Sequence, residues 1–486
     1  MIQVLFVTAE CAPFVKAGGL GDVAASLPVA LKDCKVRVIL PYYSCLDDTV
    51  SELRFLASFT VDFEGGTRRV RMFHTNWHGV EFYFLQAPDY FTCKKPYDSN
   101  SGIETRRFAF FNCAVIAALP SLGYQPDVIH LNDWHTGPLA AMVYYARKRN
   151  SFYAGMHTVF TIHNLRYQGV YERAYMQYCT RLPDEVFTTG GMAWHNGTAN
   201  PMRCGIYYAD RVTTVSKRYA QEIQGPELGE GMNGLLYERR EVVSGIINGL
   251  DYAVFNPEAD RHLQIHYTAK TVREGKAHYK EQLQREFGLA ADPNAFLAAS
   301  ISRLTDQKGI DLIAAAAERL IANGGQIIIT GDGDDVHTRM VDELGQRFPG
   351  RIGVYPVFNE HFSRSLYAGS DALLMPSRYE PCGLSQLIAM RYGTVPIVRL
   401  TGGLRDTVTP YDGKNGLGFV FEEYSLEALH GAFLAAERLY HDDRQAWDIL
   451  VQRDMEADFS WDASAKQYQA LYEELVGRSF YHLENP

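Results

Sequence analysis

A carboxylate, a proline, a glycine and a hydroxyl share one short stretch, Glu380-Pro381-Cys382-Gly383-Leu384-Ser385. It follows an apolar run at 373–375 that reads as a buried strand, and it precedes a helical pattern at 387–392. In such a strand-to-helix loop Glu380 can accept hydrogen bonds from sugar hydroxyls. The N–H groups of Gly383, Leu384 and Ser385 can meet phosphate oxygens at the helix start. A helix-capping glutamate with an ordinary turn explains the same residues equally well. Arg303-Leu304-Thr305-Asp306-Gln307-Lys308-Gly309 sets two cations in another strand-to-helix loop. Lys16-Ala17-Gly18-Gly19-Leu20-Gly21-Asp22 is a third. Its adjacent glycines let the backbone approach a ligand closely, and the helix that follows offers unpaired N–H groups to an anion. A tight strand-to-helix connection is the plainer reading, and neither the P-loop nor the dinucleotide glycine spacing is met.

These loops need strands and helices to hold them. Short β-branched or aromatic runs at 2–8, 36–40, 80–86, 127–131, 157–162 and 211–215 predict strands. Helical patterns at 104–119, 137–149 and 216–223 intervene, the last with Ser216 placed as an N-cap. Continuous rather than alternating apolarity predicts strands covered on both faces, hence a parallel sheet. The polar stretch 59–75, with Gly65-Gly66, predicts a hairpin at the sheet edge. Near 244–256 the pattern changes, and a long polar segment follows. Strand patterns resume at 296–302, 326–330, 351–357, 372–375 and 394–398, with a helix at 310–322. A last helical stretch, 461–475, has no strand after it. Two doubly wound α/β domains follow, 1–247 and 248–460, with 461–486 a helix crossing back to the first.

A chain of 486 residues is too long for one ordinary core. The formal charge of −10 argues against a general nucleic-acid grip, while leaving room for a local cationic site. The eight cysteines are scattered without a C-x-x-C pair, which fits a reducing compartment. Strand one starts at once, so no targeting segment is expected, and no apolar run reaches membrane-spanning length. A soluble, cytoplasmic protein is the expectation. Gly331-Asp332-Gly333-Asp334 lacks calcium-loop spacing and reads as a strand-end turn.

In order along the chain, KAGGLGD (16–22), HLNDWHTG (130–137), TIHN (161–164), INGLD (247–251), SRLTDQKG (302–309), EPCGLSQ (380–386) and TGGLRDTV (401–408) resemble the bacterial glycogen synthases and plastid starch synthases. The resemblance covers essentially the whole chain. It implies the GT-B fold, two Rossmann-like doubly wound domains facing each other across a cleft. It implies transfer of glucose from ADP-glucose to the non-reducing end of an α-1,4-glucan with retention of configuration. Neither a cofactor nor a metal site is implied, and no membrane or nucleic-acid partner; oligomeric state stays open.

Carried over residue by residue, the resemblance makes Lys16, Gly18 and Gly19 line the nucleotide-sugar site, with Asp22 beside the ribose. His163 and Asn164 would touch glucose hydroxyls, with Asn248 joining them, and Asp133 is a further pocket residue. Arg303 and Lys308 would hold the diphosphate. Glu380 would bind the 3- and 4-hydroxyl region of glucose beside the backbone of Cys382 and Gly383, and Leu384 and Ser385 would meet the phosphates. Glu380, Lys308, Arg303 and His163 are the catalytic candidates. Ala17 stands at a variable position. Phe358 stands where bacterial relatives commonly place a tyrosine against adenine, keeping the ring and losing a hydroxyl. Because the residues named lie on both halves, the domains are expected to close on the donor. Alternatives are a retaining transferase using UDP-glucose or another acceptor, a phosphorylase-like enzyme, and a non-catalytic glucan-binding homologue. A non-catalytic homologue should have lost some of Lys16, His163, Arg303, Lys308 and Glu380, and all are present.

Overall fold

The structure, a computed structural model, describes residues 1–46, 50, 52–93, 95–188, 191–357 and 359–484. Continuously apolar strands that bury both faces assemble into one sheet in each half of the chain. The first contains β1 (Ile2–Val7), β2 (Cys34–Pro41), β3 (Arg54–Phe63), β4 (Gly66–Trp77), β5 (Val80–Gln86), β6 (Val128–Asn132), β7 (His157–Ile162), β8 (Arg211–Thr214) and β9 (Val243–Gly245). Their spatial order is β9-β8-β7-β6-β1-β2-β5-β4-β3. All neighbours run parallel except β3–β4 and β4–β5. β3 and β4 form the edge hairpin. Glu64 and Gly65 make its turn at φ 50° and 68°, the positive values that a tight hairpin turn requires.

The second sheet contains β10 (Leu297–Ile301), β11 (Gln326–Thr330), β12 (Ile352–Tyr355), β13 (Ala372–Met375), β14 (Val395–Arg399) and β15 (Phe419–Phe421). Its order is β12-β11-β10-β13-β14-β15, parallel throughout. Both sheets are therefore doubly wound. The chain divides into two compact units, 1–249 with 461–486, and 250–460. The last helix, Trp461–Glu484, packs in the first unit: Trp461, Ala465, Tyr468, Tyr472 and Leu475 join its core. Gly249 must be glycine at this return, since a Cβ there would lie 2.5 Å from the Trp461 Cα.

The long polar segment expected after the boundary contains a helix, Val272–Glu286. Two further helices, Leu426–Asp442 and Arg444–Glu456, cover the second sheet. No helix among the described residues is long and apolar enough to cross a membrane.

Candidate active site

In each sheet, two neighbouring strands send their connections to opposite sides, and the loops at their carboxyl ends flank a crevice suited to a ligand. In the first unit this switch falls between β1 and β6. The loop after β1 leads into the helix Gly19–Ala30, whose N-cap is Gly18. Lys16 is exposed and its Nζ pairs with Asp22 Oδ1 at 2.7 Å. The N–H groups of Ala17 and Gly18 are not offered to a ligand: both donate to Oε2 of Glu10, which is buried in the loop after β1. Gly19 and Leu20, at the helix start, keep N–H groups that take no partner among the described residues.

The loop after β6 opens with Asp133 at φ 56°, ψ −179°, a conformation that costs a non-glycine residue on the order of 1–3 kcal/mol. What holds it there is visible. Its N–H donates to Thr161 O at 2.9 Å, and its Oδ1 accepts the His163 N–H at 2.8 Å. Burial pushes the Asp133 carboxyl up to about 7, against those backbone hydrogen bonds. The His163 ring, after β7, reaches back: Nε2 lies 2.9 Å from Asn132 Oδ1. Asn132 Nδ2 in turn donates to Val7 O at 3.0 Å, which fixes the amide's orientation. Nε2 is then the protonated nitrogen, and Nδ1 is left as an acceptor. Burial pushes His163 down to about 3, so the ring is neutral. Asn164 lies beside it and caps its own turn through Arg166 N. Asn248, near the end of the first unit, is buried with its Oδ1 unpartnered. A buried acceptor without a donor is costly, and a ligand hydroxyl would satisfy it.

In the second unit the switch falls between β10 and β13. Arg303 and Lys308 come from the loop after β10, Glu380 to Ser385 from the loop after β13. Lys308 Nζ donates to Glu380 Oε2 at 2.6 Å, and Ser377 Oγ donates to the same oxygen at 3.2 Å. Glu380 Oε1 takes no hydrogen bond among the described residues. Arg303 is exposed, and its Nη2 donates to Gln307 Oε1 at 3.3 Å. The two loops are stitched by Arg378 N–H to Gln307 O at 2.9 Å and Gln307 Nε2 to Tyr379 O at 3.3 Å. Close backbone approaches fix them further. At Gly309 (φ 70°) a Cβ would lie 2.1 Å from Pro376 O; at Gly402 (φ 45°) it would lie 1.9 Å from Glu380 O. Cys382 is buried, Gly383 takes φ 75°, and Leu384 and Ser385 start the short helix Ser385–Arg391. Asp334 is a helix cap, accepting from Val336 N and His337 N. Phe358 lies outside the described residues.

Comparison with known proteins fits this arrangement. Residues 3–238 match the family model described as starch synthase catalytic domain, and residues 281–448 match glycosyl transferases group 1. The chain is 42% identical over 482 residues to a glycogen synthase of Lachnospira eligens, covering 98% of this chain and 100% of that one. The chain belongs to the glycogen and starch synthase family. A second relative in that family, a glycogen synthase of Lachnoclostridium phytofermentans, is 39% identical over 480 residues, covering 98% of this chain and 100% of that one. The structure is similar to that of the catalytic domain of starch synthase IV from Arabidopsis thaliana bound to ADP and acarbose. There the TM-score is 0.90 at 34% identity, covering 98% of this chain and 99% of that one. The fold is accordingly the family's GT-B fold of two Rossmann-like units.

Within the first unit, Asp133, His163 and Asn164 come together at the ends of β6 and β7, while Lys16, Gly18, Gly19 and Asp22 form the β1 loop. Within the second, Arg303, Lys308, Glu380, Cys382, Gly383, Leu384 and Ser385 share two stitched loops. The motifs do not single out Glu10, Tyr97 or Asn132 as site residues. Glu10 carried one signal: it is the first charged side chain of the chain and stands three residues after an apolar strand.

Proposed function

We infer that this chain transfers glucose from ADP-glucose to the non-reducing end of an α-1,4-glucan, retaining the anomeric configuration, in the cytoplasm. The observation that carries the reading is the Lys308–Glu380 pair at 2.6 Å on adjoining carboxyl-end loops. It couples a phosphate-binding cation to a sugar-binding carboxylate. The ammonium has three N–H groups and spends one on Glu380, leaving two for phosphate oxygens. Breaking the anomeric C–O bond leaves ADP with growing negative charge. Lys308, Arg303 and the helix start at Leu384 and Ser385 stabilise it there. Glu380 Oε1 accepts the sugar's 3- and 4-hydroxyl region. Neutral His163, Asn164 and the unpartnered Asn248 Oδ1 serve the remaining hydroxyls. Lys16, Gly19 and Asp22 act on the same nucleotide sugar, and the acceptor hydroxyl attacks from the face that ADP leaves. Eight free cysteines support a reducing compartment.

The test is a donor panel with glycogen as acceptor. Label from ADP-glucose should enter glycogen with no added metal, and UDP-glucose should serve poorly. Incorporation from UDP-glucose alone, by a well-folded preparation, would overturn the donor assignment.

A further inference from the structure

Glu10 is a buried carboxylate with one oxygen turned to the glycine loop and the other to Tyr97. Its Oε2 accepts the N–H groups of Ala17 and Gly18, the latter at 2.9 Å, and its Oε1 accepts the Tyr97 hydroxyl at 2.7 Å. Gly21 leaves room for it: a Cβ there would lie 3.2 Å from Oε2 and 3.0 Å from Lys16 Cγ. Tyr97 stacks on His135, ring centroids 5.0 Å apart and planes at 20°. The loop after β1 is thus tied through one carboxylate and one phenol to the loop after β6, which carries Asp133. A resident anion beneath a helix start is unfavourable for a phosphate-binding loop, unless it orders that loop. Here it takes the two amides that precede the helix and leaves those of Gly19 and Leu20 without partners among the described residues.

We propose that Glu10 is a positioning residue for the donor: it clamps the Ala17 and Gly18 amides so that the Gly19 and Leu20 N–H groups face the leaving diphosphate. This rests on the donor assignment above. Glu10 touches neither substrate nor reacting atoms; it acts through the loop. A hydrogen bond to a charged group that fixes a binding element is worth about tenfold in affinity.

The experiment measures ADP binding by calorimetry and steady-state constants for wild type, Glu10→Gln, Glu10→Ala and Tyr97→Phe, with melting as a fold control. Both Glu10 variants should weaken ADP and raise the KM for ADP-glucose by about tenfold or more, Glu10→Ala the further, with the KM for glycogen within about twofold of wild type. Tyr97→Phe removes only the phenolic donor and should shift ADP affinity in the same direction by less. It keeps the proposal testable if the Glu10 variants do not fold. ADP binding equal to wild type in a folded Glu10 variant or in Tyr97→Phe would overturn the proposal. So would donor and acceptor constants worsening together with the melting temperature, since that is what a merely structural residue does. A wild-type protein that does not bind ADP at all would overturn the donor reading and this proposal together.

Discussion

Removing either partner of the Lys308–Glu380 pair strands a charge with little water around it, the side chains being 15% and 6% exposed. Alanine at either position mixes lost chemistry with a folding penalty of about 3 kcal/mol, so the amides are the cleaner variants. Lys308→Gln and Glu380→Gln should each lower kcat/KM by at least about tenfold, and the double variant should lose less than the product of the two. Steady-state rates with ADP-glucose check this; a wild-type rate in either contradicts its role. Asp133 makes a pH prediction. Its carboxyl, ordinarily near 3.8, is pushed up to about 7 by burial. Folding therefore disfavours its ionised form: the penalty is absent below pH about 4, grows until about 7 and stays constant above. Asp133→Asn should melt with the wild type at pH 4 and above it at pH 8, while turning over more slowly. Equal melting at pH 8 would remove burial as the cause. The residues proposed to meet the donor could be named from the motifs because they lie within short loops, close together along the chain. Glu10 was not, because its partners are two backbone amides and a tyrosine 87 residues away.

At the scale of elements, the two loops of the second unit depend on glycines that admit a neighbouring backbone. Gly402→Ala would drive a Cβ to 1.9 Å from Glu380 O at φ 45°. It should cost about 2–3 kcal/mol of stability by urea unfolding and lower turnover by about tenfold, because Glu380 must move. A variant with wild-type turnover would show that Glu380 does not need this backing. Most strands were legible as continuous apolar runs, and the edge hairpin as paired glycines between polar residues. The helix Val272–Glu286 was not, and its buried face explains why. Val272, Gly275, Lys276, Tyr279, Lys280, Leu283 and Gln284 recur at helical spacing, but lysines and a glutamine stand where apolar residues would announce it. Lys280 is paired with Asp371 at 2.6 Å, and Lys276 donates to Thr394 Oγ1 at 2.7 Å. Burial pulls Lys276 down to about 7, whereas Asp371 holds Lys280 up.

At the scale of the molecule, the chain leaves the first unit after Gly249 and returns at Trp461. The closing helix contributes Trp461, Tyr468, Tyr472 and Leu475 to that unit's core, and Tyr472 Oη lies 2.7 Å from Nδ1 of His130 in β6. Each such side chain is worth about 2 kcal/mol of burial, and together they approach a domain's whole stability. Truncation after Ser460 should abolish the cooperative melting of the first unit; an unchanged melting curve would mean that the helix is dispensable. The family's reaction gathers these scales into one product. Incubated with ADP-glucose and an end-tagged maltooligosaccharide, the protein should lengthen the tagged chain one glucose at a time, away from the tag, releasing one ADP per addition. Lys308→Gln and Glu380→Gln should do so far more slowly. ADP released without chain growth, or phosphate-driven shortening to glucose 1-phosphate, would contradict the account.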